Sequence, residues 1–491
     1  MQKARKPAYS FKSFILTVAI PIVAFWTVIF FAQYPLPTID DLFFIGAAMN
    51  LAKGGEFTNP YIAAWNSILS SGKFYFQPPF HSYTLAGWLK IAGISTTSFL
   101  LFQYLCYNTF SLSSALILRN YGFSRSTSLC TTFLIAVWHC NPNIHVSTGL
   151  RQDALGMAYL GLGLWLLTRD SWWRYFLGFS FAGSAICTSP ITAAYAIPFT
   201  ISILIINLIH SKNSDNLQYL LTRSVALLAA CGLVFMFFLL CINFDLYSFL
   251  SDFSLHASLR RTSAIKSFPV FIWLITRAYG KILILPSYIL FISLAVGVFI
   301  NRYCIYIEHK ILLIALSMGM ILNVLLYASA VGFAFFFCWL GIIIIIFKIK
   351  KLKIKLYAFV LTGCVFLSSQ FLNILSLAQR EYVPENQYRE IKEAVLANPD
   401  RKYAIDDVAA RFVFDYKLPK NCTSWTFMHE VPGAAPIISK DKPSNVTWIV
   451  ATPMLGGGFP HMLKTDFPRV KFLGHRFNSL PKKPFELTVV P

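Results

Sequence analysis

Residues 13–52 read SFILTVAIPIVAFWTVIFFAQYPLPTIDDLFFIGAAMNLA. The first part, 13–33, carries no charged residue. It is long enough to cross the hydrocarbon of a bilayer, which takes about 20 apolar residues in a helix. Tyr34 to Pro37 breaks it, and just beyond the break stand two adjacent carboxylates, Asp40 and Asp41. Behind them Leu42, Phe43, Ile45, Ala48 and Leu51 recur at helical spacing. Residues 40–52 therefore read as a short helix lying along the membrane, with Asp40 as its N-cap. Gly54-Gly55 ends it. Lys3, Arg5, Lys6 and Lys12 precede the span and hold the N-terminus on the cytoplasmic side. No small-residue cleavage site follows, so the span reads as an anchor rather than a signal peptide.

The same reading carries along the chain. Further apolar stretches lie near 99–118, 127–145, 154–168, 175–189, 191–209, 224–243, 283–301, 311–328, 330–347 and 356–376. This gives about eleven spanning helices. The pair 175–189 and 191–209 is separated only by Thr188-Ser189-Pro190, and 268–278 reads as a half-helix or an interfacial segment. Alternation places Arg119/Arg125, Arg169/Arg174, Lys212/Arg223, Arg302/Lys310 and the run from Lys348 to Lys355 in cytoplasmic loops, in agreement with the N-terminus.

Composition says the same. Mean hydropathy is +0.59, and only 13% of the 491 residues are charged, where soluble domains carry about a quarter. A formal net charge of +21 is no sign of nucleic acid here, because the bases sit mainly in short loops between apolar runs. Most of the ten cysteines lie inside such runs, where cysteine acts as a small hydrophobe. No CxxC or His/Cys cluster suggests a metal. From Arg380 onward acids and bases become frequent and nearly balanced. The expected fold is an all-α polytopic membrane domain, 1–378, followed by a soluble extracytoplasmic α/β domain, 379–491.

In that tail Pro384 to Ala397 has the spacing of an amphipathic helix, with Tyr388, Ile391, Ala394 and Val395 on one face. Residues 402–405 and 411–414 read as strand or short helix. Thr447 to Ala451 and Glu486 to Val490 read as strands. Asp406-Asp407 reads as a turn, with contact to an acceptor as the less favoured alternative. Gly456-Gly457-Gly458 follows a strand but opens no helix, so it is not a phosphate loop.

The outer face collects the candidate chemistry. The loop 34–98 is too long for a simple connection and carries a second helix, Tyr83 to Ile94, after Gln77-Pro78-Pro79-Phe80. Asp40-Asp41 is either a pair in which one carboxylate serves as a base, its affinity for protons raised by a low dielectric and a like-charged neighbour, or a plain N-cap with a favourable dipole charge. Arg151 and Asp153 in Gly149-Leu150-Arg151-Gln152-Asp153 are either a phosphate-binding cation with its orienting acid or a local ion pair. The outer loop 244–282 carries Asp245, Asp252, His256, Arg260, Arg261, Lys266, Arg277 and Lys281. So basic an outer loop fits a lipid-phosphate site or contact with anionic headgroups.

The order of these motifs resembles the GT-C class of membrane glycosyltransferases, in particular the protein O-mannosyltransferase and lipid A aminoarabinose-transferase group. The carrying residues are Asp40-Asp41-Leu42-Phe43-Phe44, Gly55-Glu56-Phe57, Pro60, Gln77-Pro78-Pro79-Phe80, Gly93, Asp153, Gly156 to Arg169 and Gly178 to Pro190. Asp-Asp stands where that group usually has Asp-Glu, and Gln77 replaces its usual Lys or His. The likeness covers roughly residues 10–210. It implies a polyprenyl-phosphate-sugar donor and an inverting transfer on the outer face, and the lack of processing signals points to a bacterial inner membrane. Asp40, with Asp41, is implied as the base. Arg151, Arg260 and Arg261, in that order, are implied to meet the leaving phosphate. Asp153, Gln77 and Glu56 are implied in substrate binding. The acceptor, whether glycan, lipid or protein, stays open. No organic cofactor is implied, and a divalent metal stays open. Two other readings remain: a transporter or flippase of a lipid-linked or anionic substrate, and an assembly factor whose tail binds a partner.

Overall fold

The computed structural model describes residues 9–31, 34–35, 41–62, 69–139, 149–169, 171–210, 216–260, 307–326, 340–342, 346, 385–405, 407–424, 447–452, 469–472, 475–478 and 486–490. The expected spans 283–301 and 356–376, most of 330–347, and the segments 268–278 and 456–458 lie outside them.

The apolar stretches that are described form helices close to where hydropathy puts them. They are α1 (Phe11–Phe31), α4 (Thr96–Asn120), α5 (Arg125–His139), α6 (Asp153–Leu167), α7 (Trp172–Thr188), α8 (Ala193–His210), α9 (Asn216–Cys241) and α11 (Ile307–Leu326). The Thr188-Ser189-Pro190 break is real. A 3-10 turn at Pro190–Thr192 separates α7 from α8, because proline cannot donate into a continuing helix. Two of these helices, Phe11–Phe31 and Leu221–Cys241, are long and apolar enough to cross a membrane by themselves. Their outward faces stay exposed, with Val28, Phe31, Leu228 and Phe237 each more than half accessible. Apolar surface on that scale marks a contact with membrane or protein.

α6 and α7 meet backbone to backbone. A Cβ on Gly163 would lie 2.8 Å from the carbonyl oxygen of Gly178, and one on Gly178 would lie 3.1 Å from that of Gly163. Two glycines facing each other let the backbones touch, the small-residue device of membrane helix pairs.

The bundle has two chemically distinct ends. At one, Arg119 Nε donates to Tyr9 O at 2.9 Å, Arg125 reaches Ser13, and Asn120 joins Thr168 to Arg169. At the other lie Pro35, the turn before α6, the turn after α7 and two short helices, α2 (Asp41–Ala52) and α3 (Phe80–Ala92). The helix α10 (Leu246–Arg260) also packs there. α3 begins at Phe80, directly after the prolines and three residues earlier than its pattern suggested.

α2 differs from its expected half-exposed form. Every residue from Asp41 to Met49 is buried. Its sequence, DLFFIGAAMNLA, is apolar all round, and such a helix is enclosed rather than amphipathic. Asn59 pins it by donating to Leu42 O at 2.9 Å and Phe43 O at 3.2 Å. That approach requires Gly46, where a Cβ would fall 2.1 Å from Asn59 Oδ1.

The tail opens with α12 (Glu385–Ala397), the amphipathic helix its spacing indicates, with Val395 buried. β1 (Tyr403–Ile405), β2 (Cys422–Ser424), β3 (Thr447–Thr452) and β6 (Glu486–Val490) form one sheet in the order β2-β1-β3-β6. β1 is parallel to β2 and β3, whereas β3 and β6 are antiparallel. β4 (Arg469–Phe472) and β5 (His475–Asn478) form a separate antiparallel pair. Residues 411–414 are helical, within α13 (Asp407–Phe414). That helix lies against α2, so the buried core of the outer loop runs without a break into the tail.

Candidate functional site

The site assembles at the outer-loop end from five pieces of chain. The 149–153 turn begins at Gly149, whose φ of +72° suits glycine. From it Leu150 N–H donates to Asp41 Oδ1 at 2.9 Å. Arg151 follows, buried with its guanidinium over the Phe44 ring, 4.4 Å from the centroid. Its Nε donates to Asp153 Oδ2 at 2.9 Å. Gln103 of α4 donates to Arg151 O at 3.1 Å. Asp153 opens α6, where the helix dipole favours its charge, and its Oδ1 accepts from Ser189 Oγ at 2.8 Å. Gln152 donates to Gln77 Oε1 at 2.7 Å.

The structure thus brings Asp41, Gln77, Arg151 and Asp153 together, all buried. Asp40 and Arg261 lie outside the described residues. Arg260 ends α10. Glu56 stands apart, with its side chain 73% exposed and paired with Lys73. That hydrogen bond and the ammonium charge hold its carboxyl below the usual value.

His81 had no signal of its own in the sequence, whereas Asp252 and His256 stand there among the charged residues of the loop 244–282. His81 lies in the first turn of α3 and is 2% exposed. Burial lowers its pKa to about 4, opposed by the Asp153 charge and a hydrogen bond to the Phe44 carbonyl. It is therefore a neutral imidazole near pH 7. Its Nε2 is buried and has no hydrogen-bond partner among the described residues. Asp252 of α10 takes the backbone and hydroxyl donors of both Ser70 and Ser71. This ties α10 to the loop leading to Gln77. One turn on, His256 packs against Phe43 and Phe76.

The tail contributes directly. Asp407 Oδ2 accepts from Leu42 N–H at 2.8 Å, taking up one of the donors that a helix start leaves without an intrahelical partner. Asp415 accepts from Thr96 N–H in the first turn of α4. Arg411 Nη1 donates to Pro35 O at 3.0 Å. Tyr416 donates to Asp41 Oδ2 at 2.6 Å. Asp415 and Tyr416 have φ of +52° and +60°, a conformation that costs a non-glycine residue on the order of 1–3 kcal/mol. Asp407 is therefore neither a turn residue nor solvent-facing. It begins a helix and caps another.

Taken together, a fixed guanidinium, two buried acids, two amides and a neutral imidazole at the end of an apolar bundle can bind an anionic headgroup and present polar groups to its substituent. Among solved structures the chain is similar to ArnT from Cupriavidus metallidurans, whose crystal structure is bound to undecaprenyl phosphate. The match covers 88% of this chain and 93% of that one, with 12% identity and a TM-score of 0.50. No protein-family model matches the chain, and no curated protein matches it.

Proposed function

We propose that this protein transfers a sugar from a polyprenyl-phosphate-sugar donor to an acceptor on the extracytoplasmic face, with inversion at the anomeric carbon. The observation that carries this reading is the gathering of Asp41, Arg151, Asp153 and Gln77 at one end of a GT-C fold. The undecaprenyl phosphate bound to the similar structure supports a polyprenyl-phosphate donor.

Asp40 is the base. It takes the acceptor's hydroxyl proton as the acceptor oxygen bonds to the anomeric carbon. The bond from that carbon to the phosphate oxygen breaks, and its electron pair leaves with the polyprenyl phosphate. Negative charge grows on the phosphate, so a preorganised cation lowers the barrier. Arg151 fills that role, held by Phe44 and Asp153, with Arg260 and Arg261 as further cations. Gln77 and Gln152 offer neutral hydrogen bonds to sugar hydroxyls, and Asp153 orients Arg151. The protein sits in a bacterial inner membrane with its N-terminus in the cytoplasm and residues 379–491 outside.

The test is transfer from a panel of radiolabelled polyprenyl-phosphate sugars in proteoliposomes, with a native membrane extract as acceptor, for wild type and Asp40→Asn. Label moved by wild type and not by the variant supports both enzyme and base. Transfer that survives the substitution removes Asp40 from the role. No transfer from any donor by folded protein favours a transporter, tested next by uptake.

A further inference from the structure

The tail meets the acidic pair at one hydroxyl. Tyr416 is fully buried, and its ring sits edge-on against Phe99 of α4, 5.5 Å between centroids. It lies in the left-handed region, as does Asp415 before it. Its backbone N–H closes onto Ala410 O at 3.0 Å and Lys417 N–H onto Phe414 O at 2.8 Å, so the turn is folded back on α13. The turn sends two side chains in service of the membrane domain: Asp415 to Thr96 N–H and Tyr416 to Asp41. α13 adds Asp407 to Leu42 N–H and Arg411 to Pro35 O. Three of these four contacts fall on Pro35, Asp41 and Leu42, and the fourth on Thr96 at the start of α4. A domain that merely rested on the outer face would not need a bulky residue in a strained conformation to touch a fully buried carboxylate.

We propose that Tyr416 is a positioning residue for the acidic pair, its hydroxyl fixing the Asp41 carboxylate and with it the first turn of α2. This rests on the transferase reading above. With Leu150 N–H on Oδ1 and Tyr416 O–H on Oδ2, Asp41 is held by a donor on each oxygen, which favours its charged form. It is then the fixed anion of the pair, and Asp40 beside it is the group left to take a proton. Burial and the neighbouring Asp41 push the Tyr416 phenol well above its usual pKa, so it stays a donor through the working range. The other charged or titratable groups near this contact are Asp407 and Arg411 on α13, Asp415 in the turn, Arg151 and Asp153 past Leu150, and His81 on α3. The tail is thereby part of the site, and Asp41, the other acid of the pair, is assigned to hold the first turn of α2 in place.

The experiment uses the full-length protein in proteoliposomes. Tyr416→Phe keeps the ring and removes only the hydroxyl. With one donor lost, Asp41 protonates at higher pH. The acidic limb of the kcat profile is expected to move up by about one pH unit, with donor KM within twofold of wild type. In an Asp41→Asn background the same substitution should shift the limb no further. A uniform loss of rate at every pH, with the limb unmoved, would overturn the proposal and leave Tyr416 as packing only. If wild type moves no label, it is the transferase reading that fails. The positioning role is then decided by an infrared titration of carboxyl-labelled aspartate: Tyr416→Phe should raise the pH at which one buried carboxylate protonates, and identical titrations would overturn it. Should Tyr416→Phe misfold, the infrared comparison is made between wild type and Asp407→Asn. That variant removes the neighbouring carboxylate charge and leaves the hydroxyl, so the Asp41 titration should not rise, and a rise there would overturn the proposal.

Discussion

Arg151 and Asp153 form a buried ion pair two residues apart, Nε to Oδ2 at 2.9 Å, with both side chains at most 8% exposed. The guanidinium also lies over the Phe44 ring, and the second carboxylate oxygen is held by Ser189. A planar cation fixed on one face and one edge is oriented before any ligand arrives. Arg151→Lys keeps the charge but loses the flat face and the fork. It should raise donor KM at least about tenfold while leaving protein yield near wild type. Asp153→Ala leaves a buried cation without its acid and should cost about 3–5 kcal/mol, read as a large drop in the thermal midpoint in detergent. Equal donor KM in wild type and Arg151→Lys would argue that this cation does not meet the phosphate.

His81 gives the site a pH signature of its own. Its folded pKa is lowered to about 4 from 6.5 by burial. Between those values the unfolded chain binds more protons than the folded one, so stability falls as pH falls. The contribution is complete above about 6.5 and is lost on the way down to about 4, roughly 3 kcal/mol at about 1.4 kcal/mol per unit. His81→Asn keeps a donor toward the Phe44 carbonyl and does not titrate. Its thermal midpoint should fall less steeply than that of wild type between pH 7 and pH 4. Parallel curves would mean that His81 does not carry the dependence.

How much of this was legible beforehand depends on the range of the interaction. Helices α1, α4, α6, α7, α8, α9 and α11 are written as local apolar runs, and hydropathy finds them because lipid leaves no other use for such runs. Arg151 and Asp153 sit two residues apart, so their pairing is local too. The Asp41–Tyr416 bond spans 375 residues and Leu42–Asp407 spans 365. Nothing in the composition around Tyr416 marks it, and Asp407 sits in a pair that reads as a turn. The enclosure of α2 is hidden in its sequence because five apolar positions at helical spacing trace a face, while the intervening Phe44, Gly46 and Ala47 are equally apolar.

Asp252 should matter beyond its own helix. Its two oxygens accept from the backbone and hydroxyl groups of Ser70 and Ser71, and it is 1% exposed. The segment it ties down continues through Phe74, Tyr75 and Phe76, all buried, to Gln77. Asp252→Ala removes the acceptor from donors on Ser70, which is exposed, and Ser71, which is half-buried, so water replaces part of each bond and the net loss is about 0.5–1.5 kcal/mol per bond. Hydrogen exchange of the amides from Ser70 to Phe76 should accelerate well before that of α4 or α6. Unchanged protection would show that aromatic packing holds the segment without the latch.

Gly163 lies in the later half of α6, and a methyl there would stand 2.8 Å from Gly178 O and 2.9 Å from Ala182 N of α7. Both are backbone atoms, so rotamer changes cannot relieve the clash, and the helices must separate. α6 carries Asp153 at its start and α7 ends one residue before Ser189, so the axis shift is felt where the Ser189 hydroxyl reaches Asp153 at 2.8 Å. Gly163→Ala should lower stability by about 1–3 kcal/mol and raise donor KM together. Gly87→Ala, in α3 with open space around it, is the control and should do neither. If Gly163→Ala lowers the thermal midpoint but leaves donor KM untouched, the α6–α7 contact is a matter of stability alone and the Ser189–Asp153 bond adapts to the shift.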